Sequence, residues 1–310
     1  MLKSKFYMAI ATLALLILLS GSYIYSKNFN SSLRIPILMY HHISENPNVW
    51  SDSTVSPEKF REDMLYLKAL GYEAIHFKDF LDYQEKGSPL PENPIFITFD
   101  DGYLSNYEYA YPILKELNLK ATISVIGWSR GRSHHLDNYT KIIDHFSWEQ
   151  AKEMYDSGII DIQHHTYDLH SPGDTVRFGR IFNRMPQEEQ KAYREKLLAD
   201  TILLKDLIEE HVGNEVNVFV YPFGVFNRIS EEVLKDLGFK VTITTLNGIS
   251  DLSKGLFLLN RINMPHYISS PDLMAKITEM QGRRVDIPFR DVDEAELRIE
   301  KLEELLKNNS

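Results

Sequence analysis

No cysteine occurs anywhere in the 310 residues. Disulfides, thiolate-metal sites and cysteine nucleophiles are therefore excluded together. Positive charge is also scarce: 34 lysines and arginines stand against 44 aspartates and glutamates, leaving a net charge of −10. That balance argues against a nucleic-acid partner, since a phosphate backbone calls for a basic surface. The plainest use of the acidic excess is solubility. Internal repeats and low-complexity blocks are missing too. What remains is an ordinary globular composition, 43% hydrophobic, long enough for one large α/β domain or two small ones.

One long uncharged run stands at the N-terminus. In "MLKSKFYMAIATLALLILLSGSYIYSK" the stretch from Phe6 to Ser26 follows Lys3 and Lys5. It matches the roughly 20 residues needed to cross a bilayer as a helix. Lysines ahead of it favour an N-terminus inside and the bulk of the chain outside. The expectation is an uncleaved signal anchor over 1–33, in the cytoplasmic membrane, with the working part on the extracellular face. A cleaved signal peptide, giving a secreted protein, is the alternative.

From Ile35 onward apolar runs alternate with amphipathic segments. "SPEKFREDMLYLKALG" predicts a helix capped by Ser56, with Pro57 in its first turn and Gly71 as its stop. "SWEQAKEMYDSG" opens on a capping box of Ser147 and Gln150, and "ISEEVLKDLG" suggests a Ser230 cap. Strands are expected at 36–40, 95–99, 122–127, 159–163, 218–222 and 240–245. Several are apolar throughout, as in parallel strands covered on both faces. This alternation implies a parallel sheet, open or closed into a barrel. A charged helix is expected after residue 285, either docked or solvated.

Four stretches combine strand ends with reactive side chains. "TFDDG" places Asp100, Asp101 and Gly102 after an apolar run, where α/β folds collect functional groups; an ordinary turn is the plain alternative. "IQHHTYDLHSPG" sets His165 and His170 five residues apart. On a helix they would diverge by about 140°, so they converge only from a loop. Two imidazoles and a carboxylate suit a catalytic metal with an open position; unrelated surface histidines are the alternative. "VYPFGVFN" reads as a turn after a strand. "IPILMYHHIS" ends a strand in His41 and His42, and a histidine there is commonly structural.

Together these motifs resemble the polysaccharide deacetylase family of carbohydrate esterases, which share the NodB homology domain. The resemblance covers roughly residues 34 to 280 and is nearest to the biofilm-type poly-β-1,6-N-acetyl-D-glucosamine N-deacetylases. Those enzymes separate the two histidines by five, and their domain is circularly permuted, so that the strand before "LMYH" comes first. The resemblance implies an α/β fold, a distorted (β/α) barrel with parallel strands.

It also implies roles. Asp100 becomes the catalytic base and His41 the general acid. Asp101, His165 and His170 become ligands of a divalent metal, zinc first, with cobalt, nickel or iron also suiting the set. Phe223 and Tyr221 of "YPFG" fall at the oxyanion and substrate position. Many relatives carry, in that third motif, an arginine that contacts the base; none stands near Val220.

The implied substrate is an acetylated polysaccharide losing N-acetyl groups as acetate. Peptidoglycan or another glycan, or a silent wall-binding module, are the alternatives. Expected domain limits are 1–33 for anchor and linker, 34–285 for the deacetylase domain and 286–310 for the charged helix. Phe178, Phe182, Arg177, Arg180 and Arg184 could line a substrate groove. His134, His135 and His145 receive no role.

Overall fold

The computed structural model describes residues 33–171, 186–282 and 292–308. The expected anchor over 1–33 falls almost wholly outside the described residues, and the five proposed groove residues between 177 and 184 lie outside them too. No helix among the described residues is long and apolar enough to cross a membrane. Leu33 and Arg34 belong with Asp251–Gly255 to a small unit of its own, in which the Leu33 N–H donates to Asp251 Oδ1 at 3.0 Å. The larger unit comprises Ile35–Ser250 and Leu256–Ser310.

Among the described residues ten strands run in chain order: β1 Ile37–Tyr40, β2 His42–Ile43, β3 Thr54–Val55, β4 Glu73–Ala74, β5 Pro94–Phe99, β6 Ala121–Val125, β7 Ile160–His164, β8 Val218–Val220, β9 Val241–Asn247 and β10 Leu259–Asn263. The helices are α1 Pro57–Ala69, α2 Phe77–Lys86, α3 Tyr111–Leu117, α4 Trp148–Asp156, α5 Gln187–His211, α6 Arg228–Asp236, α7 Ser270–Met280 and α8 Val292–Asn308.

The main sheet is ordered β1-β10-β9-β8-β7-β6-β5-β4, and β1 pairs with β5 as well, so seven of its strands close into a barrel with β4 outside it. All of these pairings are parallel. Parallel pairing aligns every strand's carboxyl end on one rim, and that rim carries all four motifs. Register then decides neighbours. Tyr40 of β1 lies opposite Phe99 of β5, so the next residues, His41 and Asp100, leave the barrel side by side.

Burial explains the unbroken apolar runs. Every residue of β1, β6, β7 and β8 is buried. Phe60 of α1 packs edge-on against Tyr40 at 5.1 Å and Phe99 at 5.4 Å, and Phe77 of α2 stacks on Phe96 at 4.2 Å. Burying such a side chain is worth about 1.5–3 kcal/mol, and these aromatics fasten α1 and α2 to the strand that ends in the aspartate pair.

The predicted caps are present at Ser56, whose Oγ accepts from the Lys59 N–H, and at the Ser147–Gln150 box. The third cap differs. Asn227 caps α6, and Ser230 sits at its third position, accepting from the Asn227 N–H at 2.9 Å. An Asn with extended backbone offers the N–H groups a carbonyl oxygen one turn earlier than the serine can. The C-terminal helix is docked: Arg298 donates to the Ala69 carbonyl at 3.0 Å, and Ile299 and Leu306 pack on the core while Leu297 and Leu305 stay exposed.

Candidate active site

Asp100 and Asp101 follow β5, His165 follows β7, and His170 lies five residues on in the same loop. Nε2 of His165 is 3.4 Å from Asp101 Oδ1, and Nε2 of His170 is 3.3 Å from the same oxygen. One ligand atom from each residue lies within 4.8 Å of the other two, the only such group among the described residues.

The tautomer of His165 is set by its other nitrogen. Nδ1 is 2.7 Å from the Val220 carbonyl; a carbonyl can only accept, so Nδ1 carries a proton, and in the neutral imidazole Nε2 offers its lone pair. Such an outer hydrogen bond orients metal-binding histidines generally. Asp101 Oδ1 is buried and receives no hydrogen bond. Lone pairs facing one another in a buried site repel unless a cation sits between them. The donor set therefore fits a divalent metal, and Asp, His and His are the ligand types for zinc with an open position.

Three non-glycine residues hold left-handed backbone here: Asp101 (φ 71), Thr166 (φ 71) and Phe223 (φ 54). Each sits where a strand turns into a motif, and such strain collects at functional sites. Phe223 is 43% exposed, with its ring 4.6 Å from that of His170. Gly224 beside it has φ +66, and a Cβ there would lie 2.1 Å from Thr245 Oγ1. Only glycine fits this turn.

Asp100 is 2% exposed. Its Oδ1 and Oδ2 each accept a hydrogen bond at 2.7 Å from Arg261, whose side chain is wholly buried. Burial alone would raise this carboxyl; the paired guanidinium outweighs it and holds the group below its ordinary range. His41 Nε2 lies 3.7 Å from Asp100 Oδ2. His41, Asp100, Asp101, His165, His170 and Phe223 all line one cleft of about 560 Å³.

One expectation is corrected. Tyr221 does not line that cleft: it is 2% exposed, its ring packs 5.0 Å from Phe219, and its hydroxyl donates to Glu231 at 2.8 Å. Alternation along the chain turns it away from the side its neighbours face. No arginine stands near Val220; the one that contacts Asp100 is Arg261 of β10, which sequence reasoning missed. His145, given no role, is buried with its ring 5.0 Å from that of Tyr103. Burial, and then the charge of Arg130, lower its pKa to about 3, so it stays neutral.

Residues 87–242, half of the chain, match the profile of the polysaccharide deacetylase family. The Bacillus subtilis (strain 168) protein YxkH, whose name places it among polysaccharide deacetylases without a substrate, is 31% identical over 249 residues, 80% of this chain and 77% of that one. The poly-β-1,6-N-acetyl-D-glucosamine N-deacetylase of Escherichia coli (strain K12) is 25% identical over 235 residues, 70% of this chain but only 34% of that protein. The solved structure of IcaB from Ammonifex degensii superposes with a TM-score of 0.65 at 26% identity, covering 80% of this chain and 97% of that one. With the closed parallel barrel and the motifs on one rim, these matches show that the chain belongs to the polysaccharide deacetylase family.

Proposed function

We propose that this protein is a metal-dependent hydrolase that removes N-acetyl groups from extracellular poly-β-1,6-N-acetylglucosamine, releasing acetate and leaving a partly deacetylated polymer. The observation that carries the reading is the convergence of three lone-pair donors, Asp101, His165 and His170, beside a carboxylate kept ionised by Arg261. The substrate class is supported by the printed name of the Escherichia coli relative and by the five-residue histidine spacing. The sequence from Phe6 to Ser26 supports anchorage in the cytoplasmic membrane with the barrel on its outer face.

An amide resists water at neutral pH, so the site has to supply a nucleophile, charge stabilisation and a proton for the amine. A divalent cation, zinc first, supplies Lewis acidity at Asp101, His165 and His170. Asp100 takes the proton of the attacking water, in the role of general base. His41, in the role of general acid, hands a proton to the departing amine nitrogen, leaving acetate and a glucosamine residue. The main-chain N–H of Phe223 stabilises the tetrahedral oxyanion, a contribution of about 10²–10³ in rate for one such donor.

The test is acetate release by the purified chain from poly-β-1,6-N-acetylglucosamine and from peptidoglycan, measured side by side. Faster release from the former is expected. Release from peptidoglycan alone would keep the chemistry and overturn the substrate.

A further inference from the structure

Arg130 lies outside every motif, yet its guanidinium is buried and makes no ion pair among the described residues. Its Nε donates to the Ile126 carbonyl at 3.0 Å. Nη1 donates to the Gly102 carbonyl and Nη2 to the Asp101 carbonyl, both at 2.8 Å. Nη2 also reaches Ser129 Oγ at 3.1 Å, and the group lies over the Phe146 ring, 4.5 Å from its centre. A cation buried against carbonyls alone is expensive; burial lowers this one to about 9. Its value must lie in what it holds.

What it holds is the turn that aims Asp101. Asp101 and Gly102 are successive left-handed residues, φ 71 and φ 75, and both of their carbonyls end on Arg130. The contact is close enough to decide the residue at 102: a Cβ there would stand 2.5 Å from Nη1 and 2.8 Å from Nη2. The loop carrying Arg130 is itself tied down, Gly131 N–H to the Phe146 carbonyl at 3.0 Å and Leu104 N–H to the Asp144 carbonyl at 2.7 Å.

We propose that Arg130 is a positioning residue: it clamps the Asp101–Gly102 turn so that the Asp101 carboxylate is preset between His165 and His170 before a cation arrives. It touches neither substrate nor cation. This rests on the reading of Asp101 as a metal ligand.

Arg130→Lys keeps the charge but cannot reach three carbonyls at once. Phe146→Leu keeps Arg130 and removes the ring beneath it, and serves if the lysine variant does not fold. Zinc affinity of the metal-stripped full chain would be measured by competition with a chromogenic chelator, alongside urea midpoint, kcat and KM. The expected result for folded Arg130→Lys is a zinc affinity weaker by about 10–100-fold, as for other outer groups that orient ligands, with kcat lowered and KM within about twofold. Phe146→Leu should shift affinity the same way by less. Folded variants that bind zinc as the parent does would overturn the clamp alone. A parent chain whose zinc binding is absent, or unchanged by Asp101→Asn, would instead overturn the metal reading and the clamp with it.

Discussion

Arg261 grips Asp100 with both terminal nitrogens, one on each carboxylate oxygen at 2.7 Å, and its Nε is satisfied by the Thr244 carbonyl at 2.9 Å. A buried carboxylate this well paired stays ionised, fixed in one orientation, and faces His41 across 3.7 Å. The pair is the reason two adjacent aspartates can share one strand end: Asp100 is balanced by a guanidinium, and under the proposed function Asp101 is balanced by a cation.

Asp100→Asn separates these two duties. The variant should still bind one equivalent of zinc, because Asp101, His165 and His170 are untouched. Acetate release should fall by roughly 10²–10⁴, the usual worth of a general base. Leaving Arg261 buried without its anion should also cost about 3–5 kcal/mol, visible as a lower urea midpoint. Parental turnover in this variant would show that another group takes the proton.

Tyr221 supplies a contrasting case. Its hydroxyl serves Glu231, which also accepts from Thr242 Oγ1 at 2.9 Å. Tyr221→Phe should therefore lower stability by about 1–2 kcal/mol and leave kcat and KM where they are. A change in KM without a change in stability would return this residue to the substrate.

Asp200 of α5 accepts from the Tyr167 and Asp168 N–H groups at 2.8 and 2.7 Å, bracing the loop between His165 and His170. Burial, opposed in part by these bonds, raises its pKa from 3.8 to about 6. A raised carboxyl binds its proton more tightly in the folded chain. Its stabilising contribution is therefore complete below about pH 3.8 and is lost as pH rises through 6. The urea midpoint of the parent should fall between pH 5 and pH 8, and that of Asp200→Asn should fall less, by about 1–2 kcal/mol after allowing for partial exposure. Asp161, raised to about 7 mainly by burial, titrates in the same window, so the difference between parent and variant is the informative quantity. Identical pH curves would show that Asp200 titrates normally.

The motifs after β1, β5 and β8 were readable because each follows a largely apolar run with one cause, a parallel strand buried on both faces. Asp100, Asp101 and Phe223 could be placed after strands on that basis; the strand and helix alternation implied a parallel sheet, open or closed, and its closure into a barrel was implied by the family resemblance. β10 escaped. Its sequence "LNRIN" sets three polar residues against two apolar ones, and the arginine that spoils the pattern is the one that pairs with Asp100. A buried charge looks like a surface residue until its partner is known, and that partner is 161 positions away. The two-residue strands β2, β3 and β4 are too short to carry a period. His145 was passed over because a histidine in a loop carries no burial signal; its neighbours Tyr103 and Arg130 come from other segments.

The central claim is that one cation at Asp101, His165 and His170 makes Asp100 an effective base toward an acetylated sugar. The most direct measurement is acetate release from poly-β-1,6-N-acetylglucosamine by chain stripped of metal and then titrated with zinc. Activity should be absent at the start, rise linearly and level off at one equivalent, and no such rise should occur with His165→Ala at the same zinc concentrations. Full activity in the stripped chain, or a His165→Ala titration that matches the parent, would contradict it.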